Sequence, residues 1–436
     1  MVQQPLMGVV GARAAALARE VNPLKRFWKL LGPGLITGAS DDDPSGIGTY
    51  AAAGAALGYA PLWTALVTFP LMAAVQFTCA KIGLATGRGL ASVLRAHYPR
   101  PVVHAAVGAL VIANTLNAGA DLGAIAAAIN LLVPIPAPLL VGPIAVALLA
   151  LQVGGSYRVV VNVLKWLALA LLVYIGAAFL ARPDIGAVLH GTLVPTVRFD
   201  SVFLATLVAI LGTTITPYMF FWQASHEAEE QGRVALKEHP TACEAELTYA
   251  AWDVNAGMLF SNLAMYFIML ASAATLFQAG QHDIQSAAQA AEALRPLAGD
   301  AATVLLALGL IGTGLLAVPV LTGSAGYAVA EALGWRNGLD ATPRQARGFY
   351  AVVAGATLCG LAINFLDINP MAALVWAAVL NGLLAGPLLL LLLLMANNRA
   401  VMGRYVNGWP TNLLVGAAAI AMCGAAVALV ASLVGA

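Results

Sequence analysis

Three consecutive aspartates, Asp41, Asp42 and Asp43, interrupt an apolar stretch of the chain and are followed by Pro44 and Gly46. Proline removes a backbone N–H donor, clashes with the preceding helical turn and disfavours helical geometry at the residue before it. A helix through this stretch is therefore expected to unwind and to free backbone carbonyls beside the carboxylates. Such a set of oxygens is typical of a site for Mg²⁺, Ca²⁺ or Mn²⁺.

A second apolar stretch is also interrupted by a proline, but it contains no acidic residues next to that proline. Thr213, Thr214 and Thr216 come directly before Pro217 and Tyr218. The proline again predicts an interrupted helix, and the hydroxyls add further oxygen ligands. Because no cysteine or histidine stands at either interruption, the pattern disfavours Cu⁺ and Zn²⁺.

The composition of the whole chain indicates where these stretches lie. Of its 436 residues, 61% are hydrophobic and 9% are charged, and the mean hydropathy is +0.86. Soluble domains carry roughly 25% charged residues. The formal net charge is +1, without a basic stripe. These values exclude a soluble enzyme, a disordered chain and a nucleic-acid binder, and they predict an all-α polytopic membrane protein.

The predicted membrane spans are eleven apolar stretches. They lie at 33–57, 61–84, 102–132, 134–154, 159–180, 200–225, 249–278, 301–331, 348–366, 370–395 and 411–435. With the N-terminus inside, 18 of the 21 lysines and arginines fall in cytoplasmic segments. We therefore predict a cytoplasmic leader over residues 1–32 and an external C-terminus.

The two interruptions fall in the first and sixth spans, five spans apart. This separation predicts two inverted five-helix repeats, at 33–180 and 200–395, followed by an eleventh transmembrane helix at 411–435. In such folds the substrate binds between the discontinuous helices. A carboxylate at the bilayer centre costs about 2.5–3.5 kcal/mol on insertion scales, so a functional role is expected for the aspartates.

Four stretches resemble the Nramp family of divalent metal transporters. Gly32-Pro33-Gly34 leading to Asp43-Pro44-Ser45-Gly46 resembles its first span, where the family motif is Asp-Pro-Gly-Asn. Residues 80–91 are similar to its loop after the second span, and Asp121-Leu122 matches a family Asp-Leu. Thr216-Pro217-Tyr218 stands where the family has Met-Pro-His. The resemblance implies a leucine-transporter-like fold that works by alternating access.

The resemblance also implies a set of metal ligands. Asp43 would supply the carboxylate, and Ser40 and Thr213 would supply backbone carbonyls. Gly46 stands in place of the family's asparagine ligand, and Thr216 in place of its methionine, which favours transition metals. The loss of the soft ligand indicates the Nramp-related branch that carries Mg²⁺ and Mn²⁺.

Further positions are expected along the transport pathway. Tyr218 and Ala124 replace a family histidine and glutamate on its proton route, so the resemblance implies transport without proton coupling. Asn381 lies near the position of a family glutamine that contacts the metal, and it either lines the site or serves packing or the capping of a kink. The complete pathway set is Asp41, Asp42, Asp121, Tyr218 and Gln223. Asn114, Asn117 and Asp121 form one polar stripe, which serves either a water path or interhelical hydrogen bonding.

The expected function is secondary transport of Mg²⁺ and/or Mn²⁺, and the alternative is transport of a small organic solute on the same fold. No nucleophile–base arrangement indicates an enzyme, and no cofactor is expected beyond the transported ion. The expected partners are the ion and the lipid bilayer, with no nucleic acid. The protein is predicted to be a monomer in a bacterial inner membrane.

Overall fold

The computed structural model describes residues 33–154, 173–339, 341–366 and 368–434. The predicted leader and most of the predicted fifth span lie outside this part of the chain. Every regular element within it is helical. The helices of the first half are α1 (Pro33–Asp41), α2 (Pro44–Leu57), α3 (Trp63–Thr86), α4 (Leu90–His97), α5 (Arg100–Leu132), α6 (Ala137–Gly154), α7 (Val173–Leu180) and α8 (Ile185–Leu193).

The second half follows the same pattern of long helices with short connections. Its helices are α9 (Ser201–Thr214), α10 (Pro217–Glu230), α11 (Pro240–Ser272), α12 (Ala287–Ala291), α13 (Arg295–Ala298), α14 (Ala302–Leu333), α15 (Arg347–Ile363), α16 (Pro370–Asn397), α17 (Arg399–Met402) and α18 (Trp409–Val434). A π-helical turn, Ala273–Phe277, extends α11. Single 3₁₀ turns lie at Leu236–Glu238, Glu292–Leu294 and Gly299–Ala301.

The long helices confirm an all-α polytopic membrane protein. With α9 and α10 taken together, eight helical stretches in the described residues are long and apolar enough to cross a membrane, and α15 is a shorter apolar helix. The boundaries differ from expectation at α11, which begins nine residues before the predicted span. The short helices α4, α8, α12 and α13 were not predicted. The prediction rests on apolar stretches long enough to cross a membrane, and these helices are shorter than that.

Both predicted interruptions are present and have the same construction. Two residues separate α1 from α2 and two separate α9 from α10, and each second helix begins with a proline. Asp43 caps α2, because its side chain accepts a hydrogen bond from the Gly46 N–H. Thr216 has an extended backbone directly before Pro217. Local proline and capping rules therefore account for both breaks.

Glycines bring neighbouring helices close to the breaks. A Cβ atom at Gly38 of α1 would lie 2.2 Å from the carbonyl oxygen of Gly257 in α11. A Cβ atom at Gly212 of α9 would lie 2.1 Å from the carbonyl oxygen of Ala378 in α16. On the remaining side, α5 and α14 pack against each other along their length. These helices enclose the space between the two breaks.

Candidate functional site

Each proline at the breaks deprives one carbonyl of its helical donor. In a continuous helix, Ser40 would accept a hydrogen bond from residue 44 and Thr213 from residue 217, but both positions are proline. Instead, the Tyr218 hydroxyl donates to the Ser40 carbonyl over 2.7 Å. The Thr216 hydroxyl donates to the Thr213 carbonyl, also over 2.7 Å. Because Tyr218 belongs to α10 and Ser40 to α1, the two breaks are in direct contact.

Asp43 lies at this junction with only 2% of its surface exposed. One carboxylate oxygen accepts hydrogen bonds from the Ser45 hydroxyl at 2.6 Å and the Gly46 N–H at 2.8 Å. The other accepts from the Asn117 amide at 2.9 Å. All three donors are uncharged, and no lysine or arginine in the described residues forms an ion pair with this carboxylate. The carboxyl group is therefore oriented by its partners, none of which supplies a positive charge.

Asp41 and Asp42 lie beside α11 and share a single donor. The Ser261 hydroxyl lies 2.5 Å from one oxygen of Asp41 and 3.2 Å from one oxygen of Asp42. A hydroxyl has one proton, so it serves one carboxylate at a time. The other oxygen of each aspartate is buried without a hydrogen-bond partner. The three consecutive aspartates do not form a metal cage, since no group of three acidic, His or Cys side chains in the described residues is placed for one.

The polar stripe of α5 reaches the same place. Asn117 contacts Asp43, and Asn114 donates to the Leu321 carbonyl of α14 over 2.9 Å. Asp121, one turn beyond Asn117, is fully buried, and neither carboxylate oxygen makes a hydrogen bond. Interhelical hydrogen bonding therefore accounts for Asn114, while Asn117 and Asp121 face the first break.

The small residues of the site determine how much space it has. A Cβ atom at Gly46 would lie 3.1 Å from the Thr213 hydroxyl oxygen, so the two breaks approach closely at these residues. That hydroxyl donates to the Tyr50 hydroxyl over 2.8 Å. Asn381 is buried in the turn of α16 that packs against Gly212, and its amide nitrogen has no hydrogen-bond partner.

Gln223 lies farther along α10 and joins it to α1. Its side-chain oxygen accepts from the Thr37 hydroxyl at 2.5 Å, and its amide donates to Glu227 over 3.0 Å. The Gly34 N–H at the start of α1 donates to Asp253 of α11 over 2.6 Å. These bonds hold α1 against α10 and α11 and close one side of the site.

Two cavities lie beyond the site, and Asp43 lines neither. The first measures about 660 Å³, and its charged lining residues are Arg88, Arg95, Arg233, Arg336, Glu229 and Glu331. The second measures about 390 Å³ and reaches Thr49 of α2. Thr49 is three residues beyond Gly46, or about 4.5 Å along the helix axis. The second cavity thus ends about one helical turn from Gly46, and neither of these two cavities reaches Asp43.

Three residues of the site were not predicted as ligands or pathway residues. Asn117 was singled out only as part of a polar stripe, although its spacing from Asp121 placed both on one helix face. Ser261 and Tyr50 carry no signal in the sequence, because single hydroxyl residues are common in apolar helices. Their roles depend on contacts between helices that are distant along the chain.

A model of the family described as "Natural resistance-associated macrophage protein-like" matches residues 34–432. The chain belongs to the Nramp family. A relative from Burkholderia ambifaria, named divalent metal cation transporter MntH, is 30% identical over 95% of this chain and 91% of its own length. A protein of the same name from Aeromonas hydrophila is 28% identical over 93% of this chain and 96% of its own length.

Solved structures place this Nramp-family chain in a known fold. A crystal structure of a manganese transporter from Eremococcus coleocola matches with a TM-score of 0.71 at 19% identity, over 94% of this chain and 89% of that one. Mhp1, a nucleobase-cation-symport-1 family transporter, matches with a TM-score of 0.58 at 14% identity, over 92% of both chains. The fold is therefore leucine-transporter-like, with two inverted five-helix repeats and an eleventh helix.

Proposed function

We propose that this Nramp-family protein moves divalent metal ions, Mg²⁺ and/or Mn²⁺, across the membrane by alternating access. The observation that carries the proposal is the environment of Asp43, a buried carboxylate at the contact of two broken helices that only neutral donors hold. A buried charge without a counter-charge is strongly unfavourable. A divalent cation between the breaks would supply the missing charge, and two relatives are named for that class of cargo.

The oxygens around the site favour a hard, partly hydrated ion. The hydroxyls of Thr216 and Tyr218 donate their protons to backbone carbonyls, so their oxygens retain lone pairs. Gly46 contributes no side-chain ligand, and the Ser40 and Thr213 carbonyls already accept hydrogen bonds. Water molecules would complete the coordination shell of the ion, as is common for Mg²⁺, which loses its bound water reluctantly. Asn381 is a further proposed ligand, because its amide lies buried beside the second break.

Transport without proton coupling is part of the proposal. The resemblance to Nramp proteins leaves Tyr218 and Ala124 at two positions of the family's proton route, and neither side chain exchanges a proton readily near neutral pH. The Tyr218 hydroxyl is also engaged with the Ser40 carbonyl. In proteoliposomes, Mn²⁺ uptake should leave the internal pH unchanged. Acidification that follows Mn²⁺ uptake would contradict this part of the proposal.

The close approach at Gly46 argues against a small organic solute. The Thr213 hydroxyl oxygen would lie 3.1 Å and the Asp41 carbonyl oxygen 3.2 Å from a Cβ atom placed there. The two atoms nearest to that position are oxygens, which suit a cation better than the apolar part of an organic solute. The metal ion is therefore the substrate that this geometry supports best.

We further propose a monomer in a bacterial inner membrane, with the N-terminus in the cytoplasm and the C-terminus outside. The arginines of the larger cavity support this orientation. Arg88, Arg233 and Arg336 follow the second, sixth and eighth spans, and all line one cavity at one end of the molecule. An excess of basic residues is typical of the cytoplasmic end.

The function is tested by reconstitution of the purified full-length protein in liposomes. We expect saturable Mg²⁺ or Mn²⁺ uptake that Asp43→Ala reduces to the level of protein-free liposomes. Asp184→Asn is the matched control, because Asp184 is an exposed cap of α8 and asparagine caps helices equally well. Wild-type protein that moves neither ion, or Asp43→Ala that transports at the wild-type rate, would refute the assignment.

A further inference from the structure

We infer that Asp121 is a second carboxylate ligand of the transported ion. The amide oxygen of Asn117, between Asp121 and Asp43, is then a further ligand. This inference rests on the proposed function and adds two ligands from α5 to the breaks themselves. The resemblance to Nramp proteins suggested only a pathway role for Asp121 and none for Asn117.

The first argument is the state of the Asp121 side chain. It is fully buried, neither of its carboxylate oxygens makes a hydrogen bond, and no lysine or arginine in the described residues pairs with it. Buried polar atoms in native proteins almost always have a partner. Two orphaned oxygens on one buried carboxyl group therefore indicate a ligand that the polypeptide alone does not supply.

The second argument is the position of Asp121 relative to Asp43. Its carboxyl group faces the backbone N–H of Ser45, the residue that follows the break by two positions, without reaching full hydrogen-bond geometry, and it lies near the Asp43 carboxylate. Asn117 lies one helical turn before it on the same face of α5 and donates its amide N–H to Asp43. Its side-chain oxygen is buried without a partner. The unpaired oxygens of Asn117 and Asp121 thus lie on the face of α5 that contacts the first break.

The third argument is the charge balance. One carboxylate leaves a bound divalent ion with an excess positive charge in a region of low dielectric constant, whereas two carboxylates neutralise it. Gly46 and Thr216 stand where the family has an asparagine and a methionine ligand. The two carboxylates supply hard oxygens in place of these ligands. The pair would give a site without the family's methionine an affinity for a hard ion.

The inference is tested by calorimetric titration of the purified full-length protein with MgCl₂ and MnCl₂. The variants are Asp121→Asn, Asp43→Asn and the control Asp184→Asn. We expect Asp121→Asn to weaken Mg²⁺ binding by more than about tenfold, the lower limit seen when even an outer-shell partner of a metal is lost. Mn²⁺ binding should weaken as well, because both ions prefer carboxylate oxygens.

Thermal unfolding distinguishes a ligand from a structural residue. Without added ion, Asp121→Asn should unfold at the wild-type temperature or above, because it removes an uncompensated buried charge. The rise in unfolding temperature that Mg²⁺ causes in the wild type should shrink or disappear. A purely structural aspartate would show the opposite, a lower unfolding temperature with an intact response to Mg²⁺.

The outcomes separate this inference from the proposed function. Wild-type binding of Mg²⁺ or Mn²⁺ with unchanged affinity in Asp121→Asn would overturn the inference and leave the proposed function standing. Absence of binding in the wild type would overturn both. If Asp121→Asn does not fold, Asp121→Glu keeps the charge and shifts the oxygens, and an Mg²⁺-to-Mn²⁺ affinity ratio equal to that of the wild type would refute the ligand role.

Discussion

Tyr218 and Thr216 show how single residues make a broken helix tolerable inside a membrane. Each provides a hydroxyl to a carbonyl that a proline four residues later leaves without a donor. A buried polar group without a partner costs about 1–3 kcal/mol. Thr216 and Tyr218 stand at the positions where the Nramp motif has methionine and histidine. These two substitutions therefore stabilise the broken helices and also change which atoms can bind the ion.

Removal of the tyrosine hydroxyl should destabilise the protein. Tyr218→Phe removes the hydrogen bond to the Ser40 carbonyl, and we expect a loss of about 1–3 kcal/mol, visible as a lower unfolding temperature in detergent. Tyr174→Phe is the control, because the buried Tyr174 hydroxyl has no hydrogen-bond partner and its removal should be neutral or slightly stabilising. Equal unfolding temperatures for the two variants would contradict the role assigned to Tyr218.

Reintroduction of a soft ligand should change the ion preference. Thr216→Met places a thioether at the second break, and we expect Mn²⁺ to compete more effectively against Mg²⁺ in a transport assay. Thr216→Ser keeps the hydroxyl bond to the Thr213 carbonyl and should preserve the wild-type ratio. A Thr216→Met variant with an unchanged Mn²⁺-to-Mg²⁺ ratio would place residue 216 outside the ion's coordination shell.

The two broken helices were predictable because their causes are local. Pro44 and Pro217 determine where the second helix of each pair begins, and Asp43 caps the helix that follows it. The helices that surround them depend instead on close backbone contacts at glycines. Gly38 against Gly257 determines how near α1 lies to α11 and thereby brings Ser261 to the aspartates.

A side chain at the α1–α11 contact should destabilise the fold. Gly38→Ala places a Cβ atom 2.2 Å from a backbone oxygen, which only a shift of one helix can relieve. We expect a loss of about 1–3 kcal/mol in the free energy of unfolding, as for other overpacked interiors. Gly142→Ala in α6 is the control, because no atom lies within 4 Å and alanine favours the helix. Thermal unfolding in detergent compares the two variants.

Contacts between distant segments explain what the sequence did not reveal. The amide of Asn117 reaches Asp43 across 74 positions, and the Ser261 hydroxyl reaches Asp41 across 220. Periodicity assigns a residue to a face of its own helix but does not determine which turn of another helix it meets. The fold class and both breaks could therefore be predicted, whereas the hydrogen bonds of the site required the packed structure.

At the scale of the whole molecule, the site lies between two cavities and opens to neither. The bonds from Gln223 to Thr37 and from Asp253 to Gly34 secure α1 on one side. On the other, the cavity that ends at Thr49 stops about one helical turn from Gly46. Alternating access then requires that α1 separate from α10 and α11, or that α2 move relative to the helices of the smaller cavity.

The orientation can be tested by chemical labelling of single cysteines in intact cells. Cys359 is the exposed native cysteine in the described residues and must first be replaced. Gln281→Cys should then react with an impermeant maleimide added outside, while Gly408→Cys should react only after the cells are permeabilised. Both positions are exposed in loops, so their burial does not confound the result. The reverse pattern would invert the proposed topology.

The arginines of the larger cavity have a consequence for the route of the cargo. Two like unit charges 4 Å apart repel by about 4 kcal/mol at an effective dielectric constant near 20. Four guanidinium groups outnumber the two carboxylates in that lining, so the cavity is an electrostatic barrier to a divalent cation. A divalent ion that enters or leaves through this cavity is therefore repelled by the arginines unless it passes close to Glu229 or Glu331, the two carboxylates of the lining.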